Sequence, residues 1–130
     1  MNKIQNENRV FDLEGRTYNF AKDMRLWIKK LPKNLINVED IKQLLKSSGS
    51  VGANYIEANE AISKKDFIMR MRISRKESKE TTYWIRLILD TSLDSELDKE
   101  GDRLLNESIQ LTKISSSIIE NSLKSHSNSV

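Results

Sequence analysis

The stretch Ser47–Ile88, SSGSVGANYIEANEAISKKDFIMRMRISRKESKETTYWIRLI, decides the fold. Its first third places Gly49 and Gly52 inside a run that otherwise reads as helix. Each glycine in a helix interior costs about 1 kcal/mol relative to alanine. A chain that accepts the cost twice so close together needs either tight packing or a bend there. The remainder opens at Ser63, with Asp66 three residues on, a capping box in which Asp takes the usual Glu or Gln place. From there Phe67, Met71, Ser74, Ser78, Thr81, Ile85 and Ile88 recur at the helical period and share one face. Two antiparallel helices joined near Ser63 follow from this pattern. Folding them back sets Gly52 opposite Ser74 and Ser48 opposite Ser78. Four small residues then meet mid-hairpin, and the axes are expected to come closer than the usual ~8–10 Å, with a gain in dispersion.

Working outward, a first helix is predicted over about Arg16–Leu31, with Phe20, Met24, Trp27, Ile28 and Leu31 inward and Pro32 as its stop. The second opens at NVED, with Asn37 as its cap and Glu39 and Asp40 at the positive helix end. Its inward stripe is Ile41, Leu44, Leu45, Ser48, Gly52, Tyr55 and Asn59, and it ends near Ala61. The third runs on to Thr91, and SLDSELDKEG reads as a loop. A fourth helix spans about Lys99–Lys124, with Leu104, Ser108, Leu111 and Ile118 on one seam and Leu105, Ile109, Ile119 and Ser122 beside it. Short connections make neighbours antiparallel. The expected fold is all-α: an antiparallel up-down-up-down four-helix bundle over residues 14–124, with flexible tails at 1–13 and 125–130.

Composition agrees. The 130 residues suit one domain with a single core. One proline, four glycines and 6% aromatics are poor material for a many-turned β fold. There is no cysteine, hence no disulfide or thiol chemistry. No apolar run approaches the ~18 residues of a membrane span, and the opening residues lack an apolar signal segment. A cytoplasmic protein without membrane contact is the expectation. The net charge of +3 is a mild lean toward anionic partners.

Two features of the third helix exceed the needs of a core. Met69, Ile73, Trp84 and Leu87 form a second apolar flank, about 80–140° from the inward stripe at 100° per residue. A flank of this kind with a tryptophan fits an interface between identical subunits; scattered apolar exposure on a monomer is the plainer reading. Lys65, Arg72, Arg75, Lys76, Lys79 and Arg86 lie along the outer face, with Tyr83 among them. They fit a phosphate-contacting surface, or an ordinary solvated face.

Chemistry finds little else. Glu57/Glu60 and Glu77/Glu80 stand three apart on adjacent helices, as carboxylates do in bundle di-metal sites, but those sites add Glu-x-x-His and the only histidine is His126 in the polar end. Asn54, Glu57, Glu77 and Glu80 are expected to be structural polar groups, with Lys76, Lys79 and Arg86 available for pairing. No nucleophile–histidine arrangement or phosphate-binding glycine loop is present. No enzyme, catalytic residue, metal or cofactor is expected.

The same stretch resembles the four-helix-bundle proteins of 23S rRNA intervening sequences. The matching residues are Ser50, Val51, Ala53, Asn54, Glu57 and Ala58 at the end of the second helix, then Phe67, Lys76, Glu77, Glu80, Thr81, Tyr83, Trp84 and Ile85. Tyr55 replaces the family's usual branched aliphatic residue, and Gly52 stands where proline or alanine is common. The resemblance implies a bundle that assembles as a ring-like homopentamer, with a poorly defined biochemical role. A related branch of the fold serves reverse transcriptases of diversity-generating retroelements as a basic pentamer that binds enzyme and nucleic acid. The expected function is therefore non-catalytic: binding RNA, DNA or a nucleic-acid enzyme such as a reverse transcriptase. The alternative is a structural or protein-interaction scaffold with no nucleic-acid role.

Overall fold

The computed structural model describes residues 12–128, with side chains described as far as Ser125. Four helices fill it: α1 Leu13–Lys30, α2 Leu35–Asn59, α3 Lys64–Asp90 and α4 Ser95–Asn128. Each packs on the next, and α4 returns to α1, whereas the diagonal backbones stay apart. This is the expected antiparallel four-helix bundle. The α2–α3 and α3–α4 pairs are the most intimate and α1–α4 the least. The proposed N-terminal tail lies largely outside the described residues, and α4 continues past Lys124 to Asn128.

Side-chain caps set the starts. Asp12 accepts from the Gly15 amide at 3.0 Å, and Ser63 accepts from the Asp66 amide at 3.1 Å. The cap of α2 is Asn34, not Asn37: Asn34 Oδ1 accepts from the Asn37 amide at 2.9 Å, and the Asn37 side chain donates to the Pro32 carbonyl. Extended backbone at Asn34 after the proline turns the chain directly into the helix. Similarly, α4 begins at Ser95 rather than Lys99, because Asp94 Oδ1 accepts from the Glu96 amide at 3.0 Å.

The main core centres on Trp27 with Met24, Leu44, Ile85, Leu104 and Leu111, and a second cluster joins Met71 to Ala58, Ile68 and Ile119. Trp27 is 1% exposed, and its indole N–H donates to the Leu97 carbonyl at 2.9 Å. Gly101 belongs to this contact. A Cβ there would fall 2.6 Å from Trp27 Cζ2 and 2.5 Å from Leu89 Cδ2, so the ring needs the missing side chain.

Hydroxyls join α2, α3 and α4. Ser74 Oγ donates to the Val51 carbonyl at 2.8 Å, and Thr81 Oγ1 donates to Ser47 Oγ at 2.9 Å. Ser78 pairs with Thr112, and Thr82 with Ser108, each at 2.7 Å. The hairpin is thus rotated from the simple expectation. Ser47 and Val51 face α3, and Ser78 faces α4. Gly52 does not oppose Ser74 but turns to α1, where a Cβ would sit 2.8 Å from Thr17 Oγ1. α2 is unbroken through both glycines, and no described residue has a positive φ. At Gly52 the glycine makes room for a neighbour rather than permitting an unusual backbone. At the start of α3, Ile68 is buried and Phe67 only half-buried, and on α4 Ser115 and Ile119 take inward places where Ile109 is exposed.

Candidate nucleic-acid interface

The outer face of α3 carries the predicted cations. Lys65, Arg72, Lys76, Lys79 and Arg86 are exposed and Arg75 is half-buried. None of the six forms an ion pair among the described residues. Of the four other described arginines, Arg25 on α1 likewise makes no ion pair and donates to the Ala21 carbonyl, but the remaining three are paired. Arg70, on α3, pairs with Asp66 at 3.9 Å. Arg16 donates from Nε and Nη2 to the two carboxylate oxygens of Glu107, at 2.7 and 2.9 Å. Arg103 clasps Glu100 and Asp23 at 2.7 and 3.0 Å, and these hydrogen bonds raise its pKa further. Carboxylates of α1 and α4 thus neutralise Arg16 and Arg103, whereas on the outer face of α3 the one described carboxylate influence is that of Glu77 beside Lys76.

Near the end of this face, Lys79, Thr82, Tyr83, Arg86, Leu87 and Asp90 line a hollow of about 410 Å³. Tyr83 is 57% exposed. Its ring meets Trp84 edge-on, with centroids 5.0 Å apart and planes at 79°. Thr82 and Asp90 were not singled out from the sequence; their three- and four-residue spacing from Lys79 and Arg86 was the available signal. Near the start of α3, Lys65 and Arg72 border a more apolar hollow with Ile68, Met69 and Leu123.

The second flank is more deeply seated than expected. Only Met69 is well exposed, at 46%. Ile73, Trp84 and Leu87 are half-buried, and Trp84 packs against the main core. The Trp84 indole nitrogen is buried with no acceptor among the described residues. A buried unpaired donor is uncommon and costly.

The four polar residues divide. Asn54 is half-buried and donates to the Ser50 carbonyl at 2.9 Å, within its own helix. Glu57 is exposed. Glu77 and Glu80 are half-buried and come together. Partial burial first, then the neighbouring Glu80 carboxylate, raises the Glu77 pKa; Lys76 and Lys46 oppose the rise. Lys46, from α2, acts on Glu77 across the hairpin through its charge alone, a relation that helical periodicity within one helix does not reveal.

Among the described residues no cluster of histidine, cysteine and carboxylate groups could hold a metal ion. No described helix is long and apolar enough to cross a membrane.

Comparison with known proteins adds a family. The sequence profile described as 23S rRNA-intervening sequence protein matches residues 11–117. Among solved structures, the chain is similar to a protein of unknown function from the S23 ribosomal protein family of Bacteroides thetaiotaomicron VPI-5482. The two are 31% identical with a TM-score of 0.75, over 85% of this chain and 97% of that one. No curated protein matches.

Proposed function

The chain belongs to the 23S rRNA-intervening sequence protein family, and from that premise we propose that it is a non-catalytic homo-oligomer binding nucleic acid through the outer face of α3. The observation that supports this reading is that six cations of one helix face make no ion pair among the described residues, whereas Arg16, Arg70 and Arg103 do. Unneutralised cations attract phosphate and release its counterions. The face serves either free RNA or DNA, or the nucleic acid held by an enzyme partner such as a reverse transcriptase.

Assembly follows from the adjoining flank. Met69, Ile73, Trp84 and Leu87 supply its apolar centre, and the buried Trp84 N–H asks for an acceptor. Five copies in a ring, as the family resemblance implies, would repeat the basic face on every subunit. Each bound subunit then raises the local concentration of the next contact, so weak single sites add up to useful affinity.

The test is binding of labelled RNA and DNA across a salt series, with the triple variant Arg72→Glu, Lys79→Glu, Arg86→Glu as control. Affinity should fall as salt rises, with a logarithmic slope of roughly 0.7–0.9 per phosphate contacted, and the triple variant should lose both affinity and slope. No binding by the wild-type protein at low salt removes the nucleic-acid function and leaves a protein-interaction scaffold.

A further inference from the structure

We infer that Tyr83 is a stacking platform for an unpaired base, so that the nucleic acid taken by α3 is single-stranded. The inference rests on the use of that face proposed above and names its substrate class. The helical rise places Lys79 about 6 Å before Tyr83 along the axis and Arg86 about 4.5 Å after it. An aromatic ring thus stands between two cations, with more than half of the residue's surface in solvent, 57%. Single-strand binders use this combination: cations track the phosphates while ring faces stack the bases.

Two neighbours hold the platform. The Trp84 ring meets Tyr83 edge-on at 5.0 Å, a favourable aromatic geometry, and Trp84 is itself anchored against the core. Leu87, one turn on, is half-buried beside it. The hydroxyl of Thr82 is spent inward on Ser108 and on the Ser78 carbonyl. The polar edge of the hollow is therefore Lys79, Arg86 and Asp90. Lys79 and Arg86 suit phosphates. Asp90 repels a phosphate but accepts from a base N–H, which directs the base edge to that end. In a duplex the base faces are stacked on one another and cannot reach Tyr83.

The experiment compares fluorescently labelled single-stranded RNA, single-stranded DNA and a duplex of the same sequence. Each is titrated with the full chain, Tyr83→Phe and Tyr83→Leu at one salt concentration, with subunit number followed by light scattering. The wild type should prefer both single strands. Tyr83→Leu should lose about tenfold on them, the scale of one base stack, with duplex binding unchanged, and Tyr83→Phe should bind like wild type. Equal affinity for duplex and single strand, together with no effect of Tyr83→Leu, overturns the platform and leaves the basic face standing. A Tyr83→Leu protein that dissociates into smaller species also overturns it, because the ring would then lie between subunits. If no strand binds at low salt, the underlying function fails with it.

Discussion

Gly52 lies against Thr17, close enough that a Cβ on the glycine would stand 2.8 Å from the threonine Oγ1. Thr17 cannot easily yield. It is buried, and its hydroxyl already donates within α1, toward the Leu13 and Glu14 carbonyls at 2.9 and 3.0 Å. The missing side chain therefore serves the α1–α2 contact.

Gly52→Ala should destabilise the bundle. Overpacking costs about 1–3 kcal/mol, and the helix-propensity gain of about 1 kcal/mol offsets only part of it. Gly101→Ala should cost more, since the added methyl meets both Trp27 and Leu89 below 3.0 Å. Gly49→Ala is the control: its Cβ would meet only the tip of the Arg25 guanidinium, at 3.2 Å, so the variant should be neutral or slightly more stable. Urea midpoints of the three variants check the order, and a Gly52→Ala protein as stable as wild type refutes the contact.

Glu77 gives a pH signature. Its folded pKa is raised above the ordinary 4.5, so the native state binds the proton more tightly than the unfolded chain. Stability is then lost as pH rises from about 4.5 through the raised value, and the penalty is fully present above it. Glu77→Gln removes the charge without changing shape. It should be more stable than wild type at neutral pH, with the advantage fading in acid. Unfolding curves at neutral pH and below about pH 4.5 decide, and an advantage independent of pH refutes the assignment.

Arg16 and Glu107 tie α1 to α4, the least intimate pair. The contact is bidentate, with side chains 33% and 22% exposed. A double-mutant cycle with alanine should give a coupling of about 1 kcal/mol, at the upper end for partly exposed pairs, decreasing with salt. Zero coupling would mean that solvent competes fully for both groups.

Assembly is best probed away from the core. Because Trp84 packs on the core, Trp84→Glu would damage the subunit as well as the interface. Met69→Glu places a charge on the exposed member and should give smaller, still helical species by light scattering and circular dichroism. Trp84→Phe discriminates further. Within one subunit it removes an unpaired buried N–H, which offsets part of the lost indole packing and leaves assembly unchanged; with an acceptor across the interface it should weaken assembly. An unchanged mass for Met69→Glu places the interface elsewhere.

The helix count, the Ser63 cap and most of the inward stripe of α3 were legible because apolar periodicity and hydroxyl caps are local signals. The orientation of Gly52 was not. α2 has neighbours on two sides, and a small residue beside its inward stripe fits either. Ser48 and Gly52 were assigned to α3, whereas Ser47 and Val51 make that contact. The start of α4 was hidden because Gly101 reads as a breaker until Trp27 is seen filling its place. On the candidate interface, the exposure of the basic residues followed from the helical wheel. Their lack of ion pairs did not, since it depends on which carboxylates the fold brings within reach.

The hydroxyls between helices are doubly provided for. Ser78, Thr81, Thr82, Ser108 and Thr112 each reach a partner on another helix and also lie within 3.0 Å of a carbonyl three or four residues back in their own. When α3 and α4 part, Ser78, Thr82, Ser108 and Thr112 fall back on that carbonyl instead of standing stripped of both water and partner. Opening this seam forfeits contact between surfaces but strands almost no polarity, so the bundle can breathe there and reclose at little electrostatic cost.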